Sequence, residues 1–352
     1  MNCALVSTAP IWGGVWRHIL DLAAGLSKLG VDVVVYGPEQ ILPVLRQKRP
    51  EVITAAINAD IRADVVHLHL ADTFEPHHGR FVRDAASRGS TVVVTEHLPR
   101  SLASDPGIVV SGIRRKPGST QWKTLLKRRS LSSAHAVIAV SIETRDFLIE
   151  RYGFSPSKIV AVPLEIDVSS RPVSLPDSNR FVSVGSIITQ KGFDVLVEAS
   201  AYRATDWTVD VFGSGPHLER LQERSVELGG SVRFRGFSDD ISSEMDQSRG
   251  VVIPSRWESC PYVLLEAMSR ARPVVVTRVD AMPRIVEQAQ CGFVCDTGDP
   301  RSLAESLDKL SLSEEAEHLG LNGFTNVEKM STKSMALRTI EVYREALAGK
   351  SQ

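Results

Sequence analysis

The sequence predicts an α/β protein made of two doubly wound parallel-sheet domains. Three observations carry that prediction. The chain has 352 residues, more than a single hydrophobic core ordinarily serves. Short apolar runs alternate with stretches of helical period along the whole length, the rhythm of repeated βαβ units. Between the halves lies PLEIDVSSRPVSLPDSN, beginning at Pro163, whose proline and serine content marks a linker. The expected division is 1–167, 168–330 and a closing segment 331–352.

Taken in order, CALVS is a strand, TAPIWGG a loop, VWRHILDLAAGLSKLG a helix and VDVVVYGP a strand. Ile19, Leu22, Ala23 and Leu26 recur at helical spacing as the buried stripe, and Gly30 caps the C-terminus. Gly13 and Gly14 open this helix, where a backbone without side chains lets a ligand come close; a plain turn is the alternative. The pair departs from G-x-G-x-x-G, so no dinucleotide cofactor is expected. Strands follow at Asp64–Leu70, Thr91–Thr95, His135–Val140 and Ile159–Val162, with helices at Pro76–Ser87 and Ser141–Arg151. Ligands of such sheets bind beyond the carboxyl ends of the strands. His97 follows a strand directly in T-E-H-L-P, whereas His67 and His69 lie in or near the end of theirs and are expected to play core or supporting parts. The basic run 114–129, RRKPGSTQWKTLLKRR, is expected as a solvated face. Its functional alternatives are contact with an anionic acceptor or a peripheral contact with a membrane surface.

The second half opens with FVSVGSIITQKGFDVLVEAS, a strand ending at Gly185 and a helix starting near Lys191-Gly192-Phe193-Asp194. A lysine beside glycine at a loop–helix junction can present its ammonium to a diphosphate, although a plain surface lysine is the commoner case. VDVFGSGPHLERL and SVRFRGFSDD add strands with turns at Gly213–Pro216 and Gly236-Phe237-Ser238, and Asp280–Arg284 precedes a helix. SLAESLDKL and STKSMALRTIEVYREALAG read as amphipathic helices.

The most informative stretch is Val251 to Val276, VVIPSRWESCPYVLLEAMSRARPVVV. Val251–Ile253 is a buried strand, Pro254–Cys260 a loop, and a helix runs to about Arg270 with Pro261 in its first turn and Ser259 or Cys260 near the cap. Leu264, Ala267, Met268 and Ala271 form its core stripe. Glu266 lies roughly 200° round from Leu264, flanked by apolar neighbours, so its carboxylate is partly desolvated and needs a partner such as a sugar or ribose hydroxyl. The backbone from Ser259 through Cys260, Pro261 and Tyr262 to Val263 presents N–H groups at a helix N-terminus, a natural anion site.

The run P-S-R-x-E-S-x-P-x-x-L-L-E-A-M-S, from Pro254 to Ser269, resembles the donor-sugar motif of the retaining glycosyltransferases of family 4. Their GT-B fold sets two Rossmann-like domains facing across a cleft, with the last helix returning to the first domain and carrying a tyrosine where this chain has Tyr343. The resemblance implies a nucleotide-diphosphate sugar as co-substrate, a UDP-sugar first and a GDP-sugar next, with a small-molecule or lipid-linked acceptor and neither metal nor further cofactor. It implies that Glu258 and the backbone after it bind the sugar, that Glu266 binds the ribose, and that Gly236-Phe237-Ser238 edge the nucleobase. Lys191, beside Gly185 and Ser186, is matched to the diphosphate. Gly13 and Gly14 sit between donor phosphates and acceptor, and His97 reaches the donor from the N-terminal domain. His97, Glu258 and Lys191 are the implied catalytic residues, with front-face attack and the leaving phosphate accepting the acceptor's proton.

The chain departs from the family pattern in three places. Ser186 stands where an arginine is typical, Leu164-Glu165 replaces Asn-Gly after Pro163, and Arg284 stands where many relatives have Glu. The Ser186 and Leu164-Glu165 departures keep open a nucleotide-sugar-binding protein without turnover; a sugar-nucleotide epimerase of the same architecture is a second enzyme reading, which would need further acid/base carboxylates and histidines in the cleft.

Composition is compatible with this reading. The chain is 43% hydrophobic and 24% charged with a net charge of −1, ordinary for a globular protein and giving no sign of a polyanion-binding protein as a whole. Cys3, Cys260, Cys291 and Cys295 lack C-x-x-C or zinc spacing and read as reduced thiols. Met1–Pro10 has no signal-peptide pattern and no apolar run approaches a membrane span. The cytoplasm is the expected compartment, and self-association is left open.

Overall fold

The computed structural model describes residues 1–57, 61–70, 78–98, 125, 127–129, 131–168 and 171–350. They form two compact units, the first taking the described residues up to Glu165 together with those from Ser331, the second those from Ile166 to Met330.

The first unit is a seven-stranded parallel sheet ordered β3-β2-β1-β4-β5-β6-β7. Its strands are β1 (Asn2–Val6), β2 (Asp32–Gly37), β3 (Thr54–Ala56), β4 (Val65–Leu70), β5 (Thr91–Glu96), β6 (Ala136–Ala139) and β7 (Ile159–Ala161), and its helices α1 (Gly14–Lys28), α2 (Leu42–Lys48), α3 (His78–Ser87) and α4 (Ile142–Tyr152). Every residue of β4 and β5 is buried, as expected where helices cover both faces of a parallel sheet. Ser141 caps α4 by accepting from the Thr144 N–H, and Gly153 ends it in the left-handed conformation.

The second unit is a six-stranded parallel sheet ordered β10-β9-β8-β11-β12-β13. It comprises β8 (Arg180–Val184), α5 (Phe193–Ala199), β9 (Thr208–Phe212), α6 (Leu218–Glu227), β10 (Val232–Gly236), α7 (Ile241–Asp246), β11 (Gly250–Ile253), α8 (Tyr262–Ser269), β12 (Val274–Thr277), α9 (Ala281–Ala289), β13 (Gly292–Cys295), α10 (Pro300–Leu312) and α11 (Ala316–Val327). In each sheet the strand order reverses once beside the first strand, between β1 and β4 and between β8 and β11. The loops leaving those strands at their carboxyl ends open a crevice at that point.

The last helix, α12 (Thr332–Lys350), belongs to the first unit. Its Met335, Ala336, Ile340 and Tyr343 share a core with Trp16, Ile19, Leu22 and Leu26 of α1. Glu165 fixes its start, with the carboxylate accepting from the Ser331 N–H at 3.2 Å and from Ser334 Oγ, and pairing with Arg338. The Leu164-Glu165 departure therefore anchors the returning helix.

Several boundaries differ from the sequence expectation. Pro261 is the N-cap of α8, one residue outside the helix, with extended backbone at φ −74° and ψ 131°. Ala281 to Arg284 lie inside α9 and do not precede it, because Asp280 makes the cap. Residues 76 and 77 lie outside the described set, as do 114–124 and 126 of the basic run. Lys127 of that run is buried in an ion pair with Glu96 at the end of β5, so it is not part of a solvated face, whereas Arg128 and Arg129 are exposed. Among the described residues no helix is long and apolar enough to cross a membrane.

Candidate active site

In the second unit the loop between β11 and α8 is bolted to the loop between β8 and α5. The Arg256 N–H donates to the Gln190 carbonyl at 2.7 Å, and the Gln190 amide donates to the Trp257 carbonyl at 3.0 Å. The Arg256 guanidinium grips both oxygens of Asp194, each at 2.6 Å, and also the Thr189 carbonyl at 3.0 Å. Burial alone would raise the Asp194 carboxyl, but the hydrogen bonds and charge of Arg256, with backbone N–H groups, hold it below its ordinary value. Gly192 makes the approach possible. It sits at φ +68°, and a Cβ there would overlap the Pro254 carbonyl oxygen.

This contact brings together two residues 67 positions apart. Lys191 Nζ pairs with Glu258 Oε1, and Ser255 Oγ donates to the same oxygen at 3.0 Å. Glu258 is only 6% exposed. Both bonds end on Oε1, which leaves the lone pairs of Oε2 without a partner among the described residues. A small recess lined by Val184, Lys191, Pro254, Ser255, Pro261 and Val263 adjoins the pair. Ser259 is buried, Cys260 and Val263 half-buried and Tyr262 buried, with the first N–H groups of α8 having no partner inside the helix. Glu266 is half-buried on the flank of α8, next to the fully buried Leu264, Leu265, Ala267 and Met268.

Gly185 ends β8 with its N–H on the Phe212 carbonyl at 3.0 Å, and Ser186 beyond it is exposed. Gly236 closes β10, its carbonyl accepting from Gly213 N–H at 2.7 Å. Phe237 then stands 83% exposed, and Ser238 Oγ accepts from the Asp240 N–H at 3.2 Å.

In the first unit the loop after β1 is held by Trp16, whose indole N–H donates to the Ala9 carbonyl at 3.0 Å. Gly13 has extended backbone at φ 178°, and a Cβ there would meet nothing within 4 Å. Neither conformation nor internal packing requires glycine at that position. The carboxyl ends of β4 and β5 carry a cluster of imidazoles. His67 Nδ1 is 2.7 Å from the Tyr343 hydroxyl and its Nε2 2.6 Å from Thr95 Oγ1. The His69 ring lies 4.2 Å from that of His67, and its Nδ1 is 3.2 Å from His97 Nε2. His18, from α1, meets the His97 ring edge-on at 4.9 Å. Burial, with the neighbouring imidazoles, pushes His67, His69 and His97 well below the usual histidine value, and burial brings His18 down to about 4. At neutral pH these rings are uncharged.

Two family models match consecutive parts of the chain, one described as Glycosyltransferase Family 4 over residues 12–170, the other as Glycosyl transferases group 1 over residues 178–312. The chain belongs to glycosyltransferase family 4. It is 26% identical to a D-inositol 3-phosphate glycosyltransferase of Paenarthrobacter aurescens, over 96% of this chain and 94% of that one. It is 25% identical to an alpha-maltose-1-phosphate synthase of Mycolicibacterium smegmatis, over 96% and 97%. Three further curated relatives are matched over 56%, 24% and 49% of their own lengths. Among solved structures, Anabaena HepE in complex with UDP superposes with a TM-score of 0.79 over 98% of this chain and 100% of that one, at 15% identity. The chain thus has the GT-B fold.

Some features of this family 4 chain had no signal in the pattern. The Arg256–Asp194 clamp joins residues 62 positions apart, and His18 reads from sequence as one more polar residue of an amphipathic helix. Asp280 sits at φ 46°, a strained conformation for a residue with a side chain. The next residue, Ala281, donates its N–H to the Ser259 carbonyl at 3.4 Å, so the strain borders the loop that follows Glu258.

Proposed function

We propose that this glycosyltransferase moves a hexosyl group, with retention of configuration, from a nucleotide-diphosphate sugar to a small-molecule or lipid-linked acceptor in the cytoplasm. A UDP-sugar is the first candidate and a GDP-sugar the next, and HepE, solved with UDP and with UDP-glucose, lends support to that order. The observation that carries the reading is the buried Glu258, fixed through one oxygen by Lys191 and Ser255 and left with an oxygen for sugar hydroxyls.

The chemistry follows from these groups. The acceptor hydroxyl attacks C1 of the sugar on the face from which the diphosphate departs. The C1–O bond breaks with both electrons going to the phosphate, which takes the acceptor's proton. Glu258 orients the sugar, and the first-turn N–H groups of α8 with Lys191 stabilise the charge growing on the leaving phosphate. No metal ion is assigned to this step. Gly13 and Gly14 of the first unit are assigned a place between the donor phosphates and the acceptor, His97 to the donor sugar, and Phe237 with Gly236 and Ser238 to the base.

Lys191→Ala should lower kcat about tenfold or more at saturating donor and acceptor, and Lys191→Arg should lower it less. The alanine variant loses the cation and leaves Glu258 buried without its partner, and a charge used in the transition state is read in kcat. Equal kcat for wild type and Lys191→Ala would remove Lys191 from the diphosphate.

Glu266→Ala should weaken binding of the cognate nucleoside diphosphate by about tenfold, the worth of one charge-assisted bond to a ribose hydroxyl. Isothermal titration of UDP and GDP into the folded variant is the test of the donor assignment. Unchanged affinity for both would overturn it.

A further inference from the structure

His18, His69 and His97 come from α1, from the end of β4 and from the residue after β5. One imidazole nitrogen of each lies within 4.8 Å of those of the other two. His69 Nδ1 and His97 Nε2 are 3.2 Å apart. That is close to the edge of about 3.3 Å between two nitrogens of a tetrahedral zinc site, given Zn–N bonds of about 2.0–2.1 Å. A contraction of at most about 1.5 Å on the sides to His18 would complete the triangle.

The fourth histidine of the cluster shows what a structural imidazole looks like in the same surroundings. His67 has a hydroxyl partner on each nitrogen. By contrast His18 Nδ1 is buried with no hydrogen-bond partner among the described residues, on a side chain 3% exposed. Buried polar atoms of native proteins are ordinarily satisfied, and orphans call for an explanation. Among the described residues no hydrogen bond supplies one for His18 Nδ1.

We propose that His18, His69 and His97 form a three-histidine site for a divalent cation of zinc's class, and that its occupation inhibits transfer by withdrawing His97. Three imidazoles suit zinc and its neighbours and leave one coordination position for water, hydroxide or a phosphate oxygen. The depressed proton affinity of the three rings means that no proton has to leave before metal binds near neutral pH. His97 is the half-buried member, which gives the ion a way in. The site is independent of the function proposed above; its inhibitory effect rests on the part assigned there to His97.

The test uses the full chain, stripped with a chelator and titrated with Co2+. The expected result is one equivalent per chain with the visible absorption of a tetrahedral or five-coordinate nitrogen site, displaced by Zn2+. Affinity should fall at least tenfold in His69→Asn and, separately, in His18→Asn. Wild-type protein that takes up no stoichiometric Co2+ or Zn2+ overturns the proposal without recourse to any variant, as does binding undiminished in both variants. Transfer by the wild type should fall as this equivalent of Zn2+ binds and recover on chelation. A full rate with the site occupied would overturn the inhibitory role. Histidine-dependent binding in a chain that transfers no sugar would uphold the site and count against the transfer reading alone.

Discussion

Glu258→Gln is expected to lower kcat by about 10²–10³-fold while the fold stays intact. The amide keeps an oxygen for Lys191 and Ser255, and the loop is held independently by the Arg256–Asp194 clamp and by the Arg256 N–H on Gln190. What changes is the other side of the group. An acceptor oxygen carrying charge becomes an NH2 donor facing sugar hydroxyls, and the lost bond is one that strengthens as positive charge develops on the sugar. Nucleoside diphosphate affinity, measured alongside, should stay within about twofold, because the ribose and base are assigned to Glu266 and to Gly236–Ser238. A variant within a factor of a few of wild-type turnover would take Glu258 out of the mechanism.

Acid should unfold the first unit before the second. His18 is neutral when folded, with its proton affinity brought down to about 4, whereas the unfolded chain protonates it near 6.5. Between those values the unfolded state binds the extra proton, so stability falls as pH falls, fully present above about 6.5 and lost progressively down to about 4. The shift corresponds to roughly 3 kcal/mol from His18 alone, and the lowered His67, His69 and His97 act in the same direction. Asp194 in the second unit works in a lower window. Its carboxyl is held below 3.8, so the stability from its pair with Arg256 is present above that value and lost only as pH falls through the folded one. Denaturant melts at pH 7, 6, 5 and 4 should show an early loss that His18→Gln makes shallower. A flat profile from pH 7 to 5 would contradict the burial of neutral imidazoles.

The sheets were legible because short apolar runs, Val92–Val94 in β5 and Val251–Ile253 in β11, stand between helical stretches and because α1 keeps a clear period of 3.6. The loop from Pro254 and the helix after it were legible for a different reason: prolines and a paired-glutamate spacing punctuate them. Other elements were hidden by their own composition. Thr54–Ala56 is a three-residue edge strand, too short to show a period. Ala316–Val327, interrupted by Gly320 and Gly323, received no element from the sequence, yet it is a helix, and a Cβ at Gly320 would overlap the Ala271 carbonyl oxygen. The candidate site was legible as two separate signals, Lys191 and Glu258, but their ion pair was not. That pair depends on a backbone approach at Gly192, which spacing along the chain does not encode.

Product stereochemistry puts the proposed chemistry to its most direct trial. The protein should be incubated with UDP- and GDP-linked α-sugars and a pool of acceptors in excess EDTA, with proton NMR reading the anomeric coupling and mass spectrometry the product mass. An α-linked product formed with stoichiometric release of UDP or GDP is the predicted result. A β-linked product, or turnover that EDTA abolishes, would contradict retaining, metal-independent transfer.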